Sequence, residues 1–228
     1  MHTDQSTTDQ STTDQSTTDR STLYLVRHGA TDANLRRPYV LQGRGIDLSL
    51  NPTGQQQAAR VASLFAQMSI AAVYASPMRR ALETARAIAS RCGADVAVRE
   101  ELIECNVGRW EGLSWDGIRE QFPEDCENFQ RDPSQFPYLG GETYTDGARR
   151  AVPVLEQLLQ QHANERFVVV AHNIVNRVAV ATFLGLPLSR AKEIQQANGG
   201  VNVIRRENGR TTLVTLNSEF HLEDDCPQ

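Results

Sequence analysis

Short apolar runs alternate along this chain with longer segments whose apolar residues recur every three or four positions. The short runs predict buried strands at 23–26, 71–75, 95–98 and 167–171. The periodic segments predict helices that bury one face, at 53–67, 77–91, 142–162 and 173–184. A last pair of strand-like runs begins at residue 201 and reads VNVIRRENGRTTLVTL, in which Asn208-Gly209 is typical of a hairpin turn.

The order of these elements predicts an α/β fold. Strands that alternate with helices form a mostly parallel central sheet with helices on both faces, which is a three-layer sandwich. The closing hairpin is expected to add an antiparallel edge strand to that sheet.

The two ends of the chain differ from this pattern. Residues 3–22 read TDQST three times and then TDRST, with no apolar side chain large enough to pack. Such a segment buries too little surface to offset the entropy lost on ordering, so we predict a disordered low-complexity tail at 1–21. The domain then covers 22–220, and a short acidic tail is predicted at 221–228.

Composition and charge exclude several classes of function. The 228 residues are 39% hydrophobic and carry a net charge of −5 without a basic cluster, which argues against a nucleic-acid partner. No apolar run approaches the length of a membrane span, and the N-terminus lacks the apolar core of a signal peptide. The four cysteines are scattered, which is typical of a reducing compartment. We therefore expect a soluble, cytoplasmic protein with no membrane partner, and leave its oligomeric state open.

Basic and imidazole side chains follow three of the predicted strands. They are Arg27 and His28 after the first strand, Arg79 and Arg80 in the first helical turn after the second, and His172 after the fourth. Ser76 and Pro77 fit the N-cap and first residue of the helix that carries the two arginines. Each basic side chain alone is more simply explained as solvated or hydrogen-bonded. Because the carboxyl ends of parallel strands meet in one crevice, however, the set converges and predicts a phosphate pocket.

Four motifs, in this order, resemble those of a known family. LVRHGATDAN begins at residue 25, SPMRRALETA at 76, LIECNVGRWEG at 102 and VVVAHN at 168, and LNPTGQQQA at residue 50 matches a further family segment. They resemble the histidine phosphatase superfamily, which includes the cofactor-dependent phosphoglycerate mutases, and the resemblance covers about 23–217. In the family's second motif the arginine immediately precedes the alanine, which selects Arg80 over Arg79.

The resemblance implies a catalytic set. It implies that His28 attacks phosphorus to form a phosphohistidine, and that Glu104 protonates the leaving oxygen and later activates water. The remaining catalytic residues, which would neutralise the phosphoryl oxygens in the transition state, are Arg27, Arg80 and His172. The expected substrate contacts are Arg27, Asn34, Gln42, Arg80 and Asn173, with Arg44, Arg109 and Asn176 as weaker candidates.

Two positions depart from the family pattern. Ala30 stands where relatives often carry Glu or Gln, and Asn173 stands where Gly is usual. Neither removes a residue of the catalytic set, but Asn173 adds a side chain to the pocket, so substrate choice transfers less readily than mechanism. The chain has no HxH, HExxH or clustered cysteines, and we expect neither a metal ion nor a cofactor.

The segment 110–138 is rich in aromatic side chains and admits two interpretations. It forms either a cap over the pocket that shapes specificity or a small core of its own, and the sequence favours neither.

The resemblance favours a metal-independent phosphatase that acts on a small phosphorylated metabolite. A phosphoglycerate mutase-type phosphoryl transfer uses the same pocket, although the segment between Glu104 and His172 is shorter than is typical of mutases. A catalytically silent phosphate-binding module is the third alternative, and the presence of the full catalytic set argues against it. The identity of the phosphomonoester remains open: sugar phosphates, phosphoglycerate derivatives, nucleotides and cofactor precursors all fit.

Overall fold

The computed structural model describes residues 19–223, in which strands and helices alternate as the sequence predicts. The strands are β1 (Arg20–Arg27), β2 (Ala72–Ala75), β3 (Val96–Val98), β4 (Arg166–Ala171), β5 (Val201–Glu207) and β6 (Arg210–Ser218). The α-helices are α1 (Asp32–Leu35), α2 (Pro52–Phe65), α3 (Arg79–Cys92), α4 (Trp115–Gln121), α5 (Pro123–Arg131), α6 (Tyr144–Gln161) and α7 (Asn173–Phe183). Short 3₁₀ turns lie at Glu100–Leu102, Gly108–Trp110, Leu188–Glu193 and Phe220–Leu222.

The strands form one mixed sheet in the order β3-β2-β4-β1-β5-β6. The first four of these strands are parallel to each other, whereas β5 runs antiparallel to β1 and pairs with β6 in a hairpin. Asn208 and Gly209 join β5 to β6 with φ values of 51° and 80°, the left-handed conformation that a two-residue hairpin turn requires. The predicted α/β sandwich with an antiparallel edge is therefore confirmed.

Successive strand residues point to opposite faces of the sheet, and both faces of its central strands are apolar. Helices therefore cover both faces. On one face Leu25 and Val169 belong to a core that includes the buried residues of α6 and α7. On the other face Val26 and Val170 pack with the apolar residues of α2 and α3. The two central strands, β1 and β4, are thus packed on both faces, and their carboxyl ends lie side by side in fixed positions.

Strand β1 begins earlier than the sequence predicts. Arg20 and Ser21, which we predicted as the end of the tail at 1–21, belong to the sheet, and the buried Ser21 hydroxyl donates to the carbonyl of Leu159 at 2.7 Å. Residues 1–18 of that predicted tail, and residues 224–228 of the acidic tail predicted at 221–228, lie outside the described residues.

The prediction that Ser76 caps the helix after β2 is wrong. Helix α3 begins at Arg79, and Met78 is its N-cap residue. The Ser76 hydroxyl lies instead 2.7 Å from Nε2 of His172, so it faces the end of the sheet rather than the first turn of α3.

None of the helices between residues 19 and 223 is both long enough and apolar enough to cross a bilayer.

Candidate active site

The carboxyl ends of β1, β2 and β4 converge on a cleft of about 380 Å³. Its lining includes six residues expected from the sequence: Arg27, His28, Asn34, Gln42, Glu104 and Asn173. Two more predicted residues, Arg80 and His172, are almost fully buried beneath His28. The five predicted catalytic residues therefore form one cluster, although they come from three strand ends and a loop.

His28 follows the last residue of β1 and is held in one orientation. Its Nδ1 lies 2.6 Å from the carbonyl oxygen of Gly29, which can only accept, so Nδ1 carries the proton. Its Nε2 receives a hydrogen bond from Nε of Arg80 at 3.2 Å, so Nε2 carries the lone pair. Burial lowers the pKa of His28 well below its usual value, and the charges of Arg80 and Arg27 act in the same direction. The ring is therefore neutral at ordinary pH, as a nucleophile must be.

The loop that carries His28 is fixed by a close backbone approach. A Cβ at Gly29 would collide with the carbonyl group of Gly54, in the first turn of α2. The N–H of Asn51, the N-cap of that helix, donates to the carbonyl of Ala30 at 3.0 Å. Ala30 is itself buried, and its N–H donates to Gln57 at 2.8 Å. The LNPTGQQQA segment thus supports the histidine loop from behind.

Arg80 reaches the cleft floor from the first turn of α3. Besides His28, its guanidinium donates to the carbonyls of Ile46 at 2.9 Å and Gly43 at 3.1 Å. Its neighbour Arg79 points away, with a side chain that is 69% exposed and 4.0 Å from Asp47. Only one arginine of the pair therefore belongs to the cleft.

Arg27 is held by the segment that precedes β5. Its Nη1 donates to the carbonyl of Gln196 at 2.5 Å, and the N–H of Gly199 donates to the Arg27 carbonyl at 3.0 Å. The side chains of Gln196 and Asn202 exchange two hydrogen bonds, which stiffens this segment. Burial lowers the pKa of Arg27, although the group remains a cation at neutral pH.

His172 presents one ring nitrogen to the site. Ser76 Oγ accepts from the N–H of Met78 and lies 2.7 Å from Nε2 of His172. We assign the hydroxyl proton to this second contact, because no other acceptor for it occurs among the described residues. The proton of the neutral imidazole then resides on Nδ1, which has no hydrogen-bond partner among the described residues. Burial lowers the pKa of His172 well below its usual value, and Arg80 and His28 add to this effect. Its ring centroid lies 5.1 Å from that of His28, so Nδ1–H is a donor beside the nucleophile.

Glu104 is a buried carboxyl group on the opposite wall. Its Oε1 accepts from the N–H of Cys105 at 2.9 Å, and its Oε2 accepts from the N–H of Ile174 at 3.2 Å. Burial raises its pKa, although those two hydrogen bonds and the charge of Arg80 oppose the rise. A carboxyl with a raised pKa can hold a proton until a leaving group needs it.

The other predicted contacts divide into two groups. Asn34 and Gln42 both line the cleft and are both held by Thr31: its hydroxyl donates to Gln42 at 2.8 Å, and its backbone N–H donates to Asn34 at 2.9 Å. Asn173 lines it too, with a buried Oδ1 that has no partner among the described residues. The weaker candidates Arg44, Arg109 and Asn176 do not line the cleft.

Sequence reasoning missed several residues of the cleft: Tyr39, Tyr144, Arg177 and Asn198. Helical spacing was the available signal for Arg177, because it lies four residues after Asn173 and therefore on the same face of α7. The tyrosines and Asn198 carry no comparable local signal, since distant segments bring them to the site.

The aromatic segment serves both of the roles between which the sequence could not decide. Trp110 and Phe129 are buried, and their ring centroids are 5.4 Å apart in an edge-to-face contact. Trp115 and Tyr138 pack against this core and also line the cleft. The aromatic segment 110–138 thus has its own core and also forms one wall of the site.

Between residues 19 and 223, no group of three or more His, Cys, Asp or Glu side chains is arranged to hold a metal ion.

Comparison with known proteins gives a consistent result. The family model described as histidine phosphatase superfamily (branch 1) matches residues 23–219. The chain is 30% identical to phosphoserine phosphatase 1 of Hydrogenobacter thermophilus over 200 residues, which span 88% of this chain and 93% of the relative. It is 34% identical to phosphoglycerate mutase-like protein 4 of Arabidopsis thaliana over 206 residues, which span 89% of this chain and 87% of that one. The structure of phosphoserine phosphatase from Entamoeba histolytica in complex with 3-phosphoglyceric acid superposes with a TM-score of 0.80 at 27% identity, covering 89% of this chain and 100% of that one.

Proposed function

The chain belongs to the histidine phosphatase superfamily and is a phosphatase of that type, and from this premise we propose that it hydrolyses a small phosphomonoester, without a metal ion, through a phosphohistidine on His28. The observation that carries the proposal is the orientation of His28, whose Nε2 lone pair meets the guanidinium of Arg80 at the cleft floor. Relatives named for phosphoserine, and one solved with 3-phosphoglyceric acid, support a small phosphorylated metabolite as the substrate.

In the first step the Nε–H of Arg80 exchanges its hydrogen bond to Nε2 of His28 for one to a phosphoryl oxygen, and the freed lone pair of Nε2 attacks phosphorus. The new N–P bond forms as the ester P–O bond breaks, and the electron pair of that bond leaves with the alkoxide. Glu104 gives its proton to this oxygen, so the product leaves as a neutral alcohol. Arg27, Arg80 and the Nδ1–H of His172 neutralise the three phosphoryl oxygens as charge spreads over them.

In the second step water cleaves the phosphoenzyme. Glu104, now a carboxylate, takes a proton from the water while its oxygen attacks phosphorus. The N–P bond breaks, its electron pair returns to Nε2 of His28, and inorganic phosphate leaves. The raised pKa of Glu104 supports this exchange of roles, because the same group must hold a proton in one step and accept one in the next.

The mechanism needs no metal ion because cationic side chains supply the positive charge. Arg27 and Arg80 supply at the cleft the positive charge that other phosphatases take from bound ions.

In a mutase the phosphoryl group of the same phosphohistidine would return to a second substrate molecule instead of water.

The test is phosphate release from a panel of phosphorylated metabolites, measured with EDTA in excess. The proposal expects full activity with EDTA and release of inorganic phosphate in amounts equal to the alcohol formed. Activity that disappears with EDTA and returns with a divalent ion would overturn metal independence. Transfer of phosphate between positions of 3-phosphoglycerate, faster than its hydrolysis, would identify a mutase.

A further inference from the structure

Arg177 is a cation in the cleft that the phosphatase mechanism does not use. It lines the cleft from α7, and no salt bridge to it occurs among the described residues. Its guanidinium makes a hydrogen bond to the uncharged phenol of Tyr144, but its Nε is buried and has no hydrogen-bond partner among these residues. A partly buried guanidinium with an unmatched donor is costly to keep, so a residue of this kind is expected to have a ligand.

The charge balance of the cleft shows what kind of ligand is missing. The two negative charges of a phosphomonoester are matched by Arg80, which donates a hydrogen bond to His28, and by Arg27, which precedes His28 in the chain and lines the cleft. Glu104 is the sole carboxyl group among the described residues that line the cleft, and its raised pKa favours the uncharged form. The positive charge of Arg177 therefore has no negative counterpart in the cleft once the phosphoryl group is bound.

Arg177 lines the same cleft as the residues that bind the phosphoryl group. That cleft has a volume of about 380 Å³, and its lining also includes Arg27 and His28. Tyr144 and Asn173 border Arg177 in the lining, and Asn173 offers an amide whose Oδ1 is unmatched. These three side chains define a polar subsite beside the nucleophile.

We propose that Arg177 binds the carboxylate of the substrate, so that the enzyme prefers small phosphorylated carboxylic acids over esters that lack the acid group. The planar guanidinium matches a carboxylate through two parallel hydrogen bonds, a geometry that a neutral hydroxyl or an ammonium group cannot provide. Asn173 and Tyr144 add uncharged hydrogen-bonding groups beside it. Because Arg177, Arg27 and His28 line one cleft of about 380 Å³, the phosphate ester and the carboxylate must be joined by a short carbon chain. This inference rests on the proposed function, because it assigns the substrate class of the same cleft.

The experiment compares substrates that differ only in the acid group. One pair is O-phosphoserine and O-phosphoethanolamine, and the other is 3-phosphoglycerate and glycerol 3-phosphate. Values of kcat/KM are measured for the wild type, Arg177→Gln and Arg177→Lys. Arg149→Gln is the control, because that side chain is 74% exposed on α6 and pairs with Asp146.

The proposal expects the wild type to favour the acid in each pair. In Arg177→Gln the ratio of the two kcat/KM values should fall about 10- to 100-fold, the effect of losing charge-assisted hydrogen bonds. Arg177→Lys keeps the charge but not the paired, planar N–H donors of the guanidinium, so its ratio should lie between those of the wild type and Arg177→Gln. The ratio in Arg149→Gln should match that of the wild type. The loss should appear mainly in KM, since the carboxylate is bound equally in the ground and transition states.

An equal loss on both members of a pair would overturn the inference, because Arg177 would then bind the phosphoryl group. A wild type without preference for the acids would overturn it as well. Both results leave the proposed phosphatase function intact, whereas a wild type inactive on every ester would contradict that function itself. If Arg177→Gln fails to fold, as judged by circular dichroism, Arg177→Lys decides: an unchanged ratio in that variant contradicts the inference.

Discussion

Nε of Arg80 lies 3.2 Å from Nε2 of His28 and donates a hydrogen bond to the imidazole lone pair. An arginine cannot be deprotonated under ordinary conditions, so this contact keeps the proton of the neutral ring on Nδ1. Two backbone carbonyls, of Ile46 and Gly43, hold the guanidinium in place. The group that neutralises the phosphoryl oxygens in our proposal is thus also the group that orients the nucleophile.

Arg80→Lys should therefore reduce kcat although it keeps a positive charge. Lysine cannot donate to His28 and both carbonyls in the planar geometry of a guanidinium. We expect a loss of about 10²–10³-fold, the range seen when one donor to a developing charge is removed. Steady-state kinetics on a phosphomonoester check this.

Arg79→Lys is the matched control, because Arg79 is adjacent in sequence, exposed and paired with Asp47. Its kcat should stay within about twofold of the wild type, since surface ion pairs contribute little. Equal effects of the two substitutions would show that charge alone matters at this helix start.

Ser76→Ala should lower kcat by allowing the ring of His172 to change tautomer. In the structure the Ser76 hydroxyl is 2.7 Å from Nε2 of His172, which directs the ring proton toward the site. We expect a loss on the order of 10-fold in kcat, and recovery in Ser76→Thr, which restores the hydroxyl. An unchanged kcat in Ser76→Ala would contradict this role. Failure of Ser76→Thr alone would not, because Ser76 is fully buried and the added methyl group must be accommodated.

The strand ends and the family motifs were sufficient to predict the fold and the set Arg27, His28, Arg80, Glu104 and His172. Buried strands have a strong local signal, and parallel strands end on the same side of the sheet, which brings Arg27, His28 and His172 together. Glu104 and the choice of Arg80 over Arg79 came from the family resemblance alone. The direction of a side chain has no such signal.

Ser76 is the clearest case of that limit. Ser-Pro before a helix normally predicts a cap, but a contact with a histidine 96 positions away determines where the hydroxyl points. Arg177 was missed for a related reason. It lies one turn inside α7, so it is not among the residues that directly follow a strand. Tyr138, in the aromatic segment 110–138, and Tyr144, at the start of α6, reach the cleft only through tertiary packing.

Glu104→Gln should distinguish proton donation from simple electrostatics. An alkyl phosphate leaves as a strongly basic alkoxide and needs the proton, whereas p-nitrophenolate leaves readily without it. General acid catalysis contributes about 10²–10⁴-fold, so the variant should lose that much on alkyl phosphates and clearly less with p-nitrophenyl phosphate. Single-turnover rates measure both losses.

A burst of p-nitrophenol should accompany the smaller loss, because the variant also lacks the base that activates water. Glutamine keeps the size and shape of the side chain, so the comparison isolates the proton. Equal losses on the two substrates, with no burst, would show that Glu104 is not the acid.

The folded protein should lose stability as the pH falls below about 6.5 because of His28 and His172. Burial lowers both pKa values well below the usual 6.5, so the unfolded chain takes up these protons first. Where the unfolded state binds more protons, the free energy of unfolding falls with falling pH. Glu104 acts in the opposite direction, since its raised pKa favours the folded state at acid pH.

Urea unfolding at pH 7.5 and 5.5 measures this effect. Comparing the wild type with His28→Gln cancels the contribution of Glu104. The variant should lose roughly 1 kcal/mol less stability between the two pH values, the linkage of one histidine over that range. The same pH dependence in both proteins would mean that His28 is protonated at similar pH in the folded and unfolded states.

The phosphoenzyme itself gives the most direct measurement of the central claim. The protein is mixed with a ³²P-labelled phosphomonoester, quenched in alkali within one turnover, and digested to locate the label by mass spectrometry. We predict phosphate that is stable to base, labile to acid and attached to His28, with none trapped on His28→Ala. Label that is equally abundant on His28→Ala, or absent from the wild type during turnover, would contradict the mechanism.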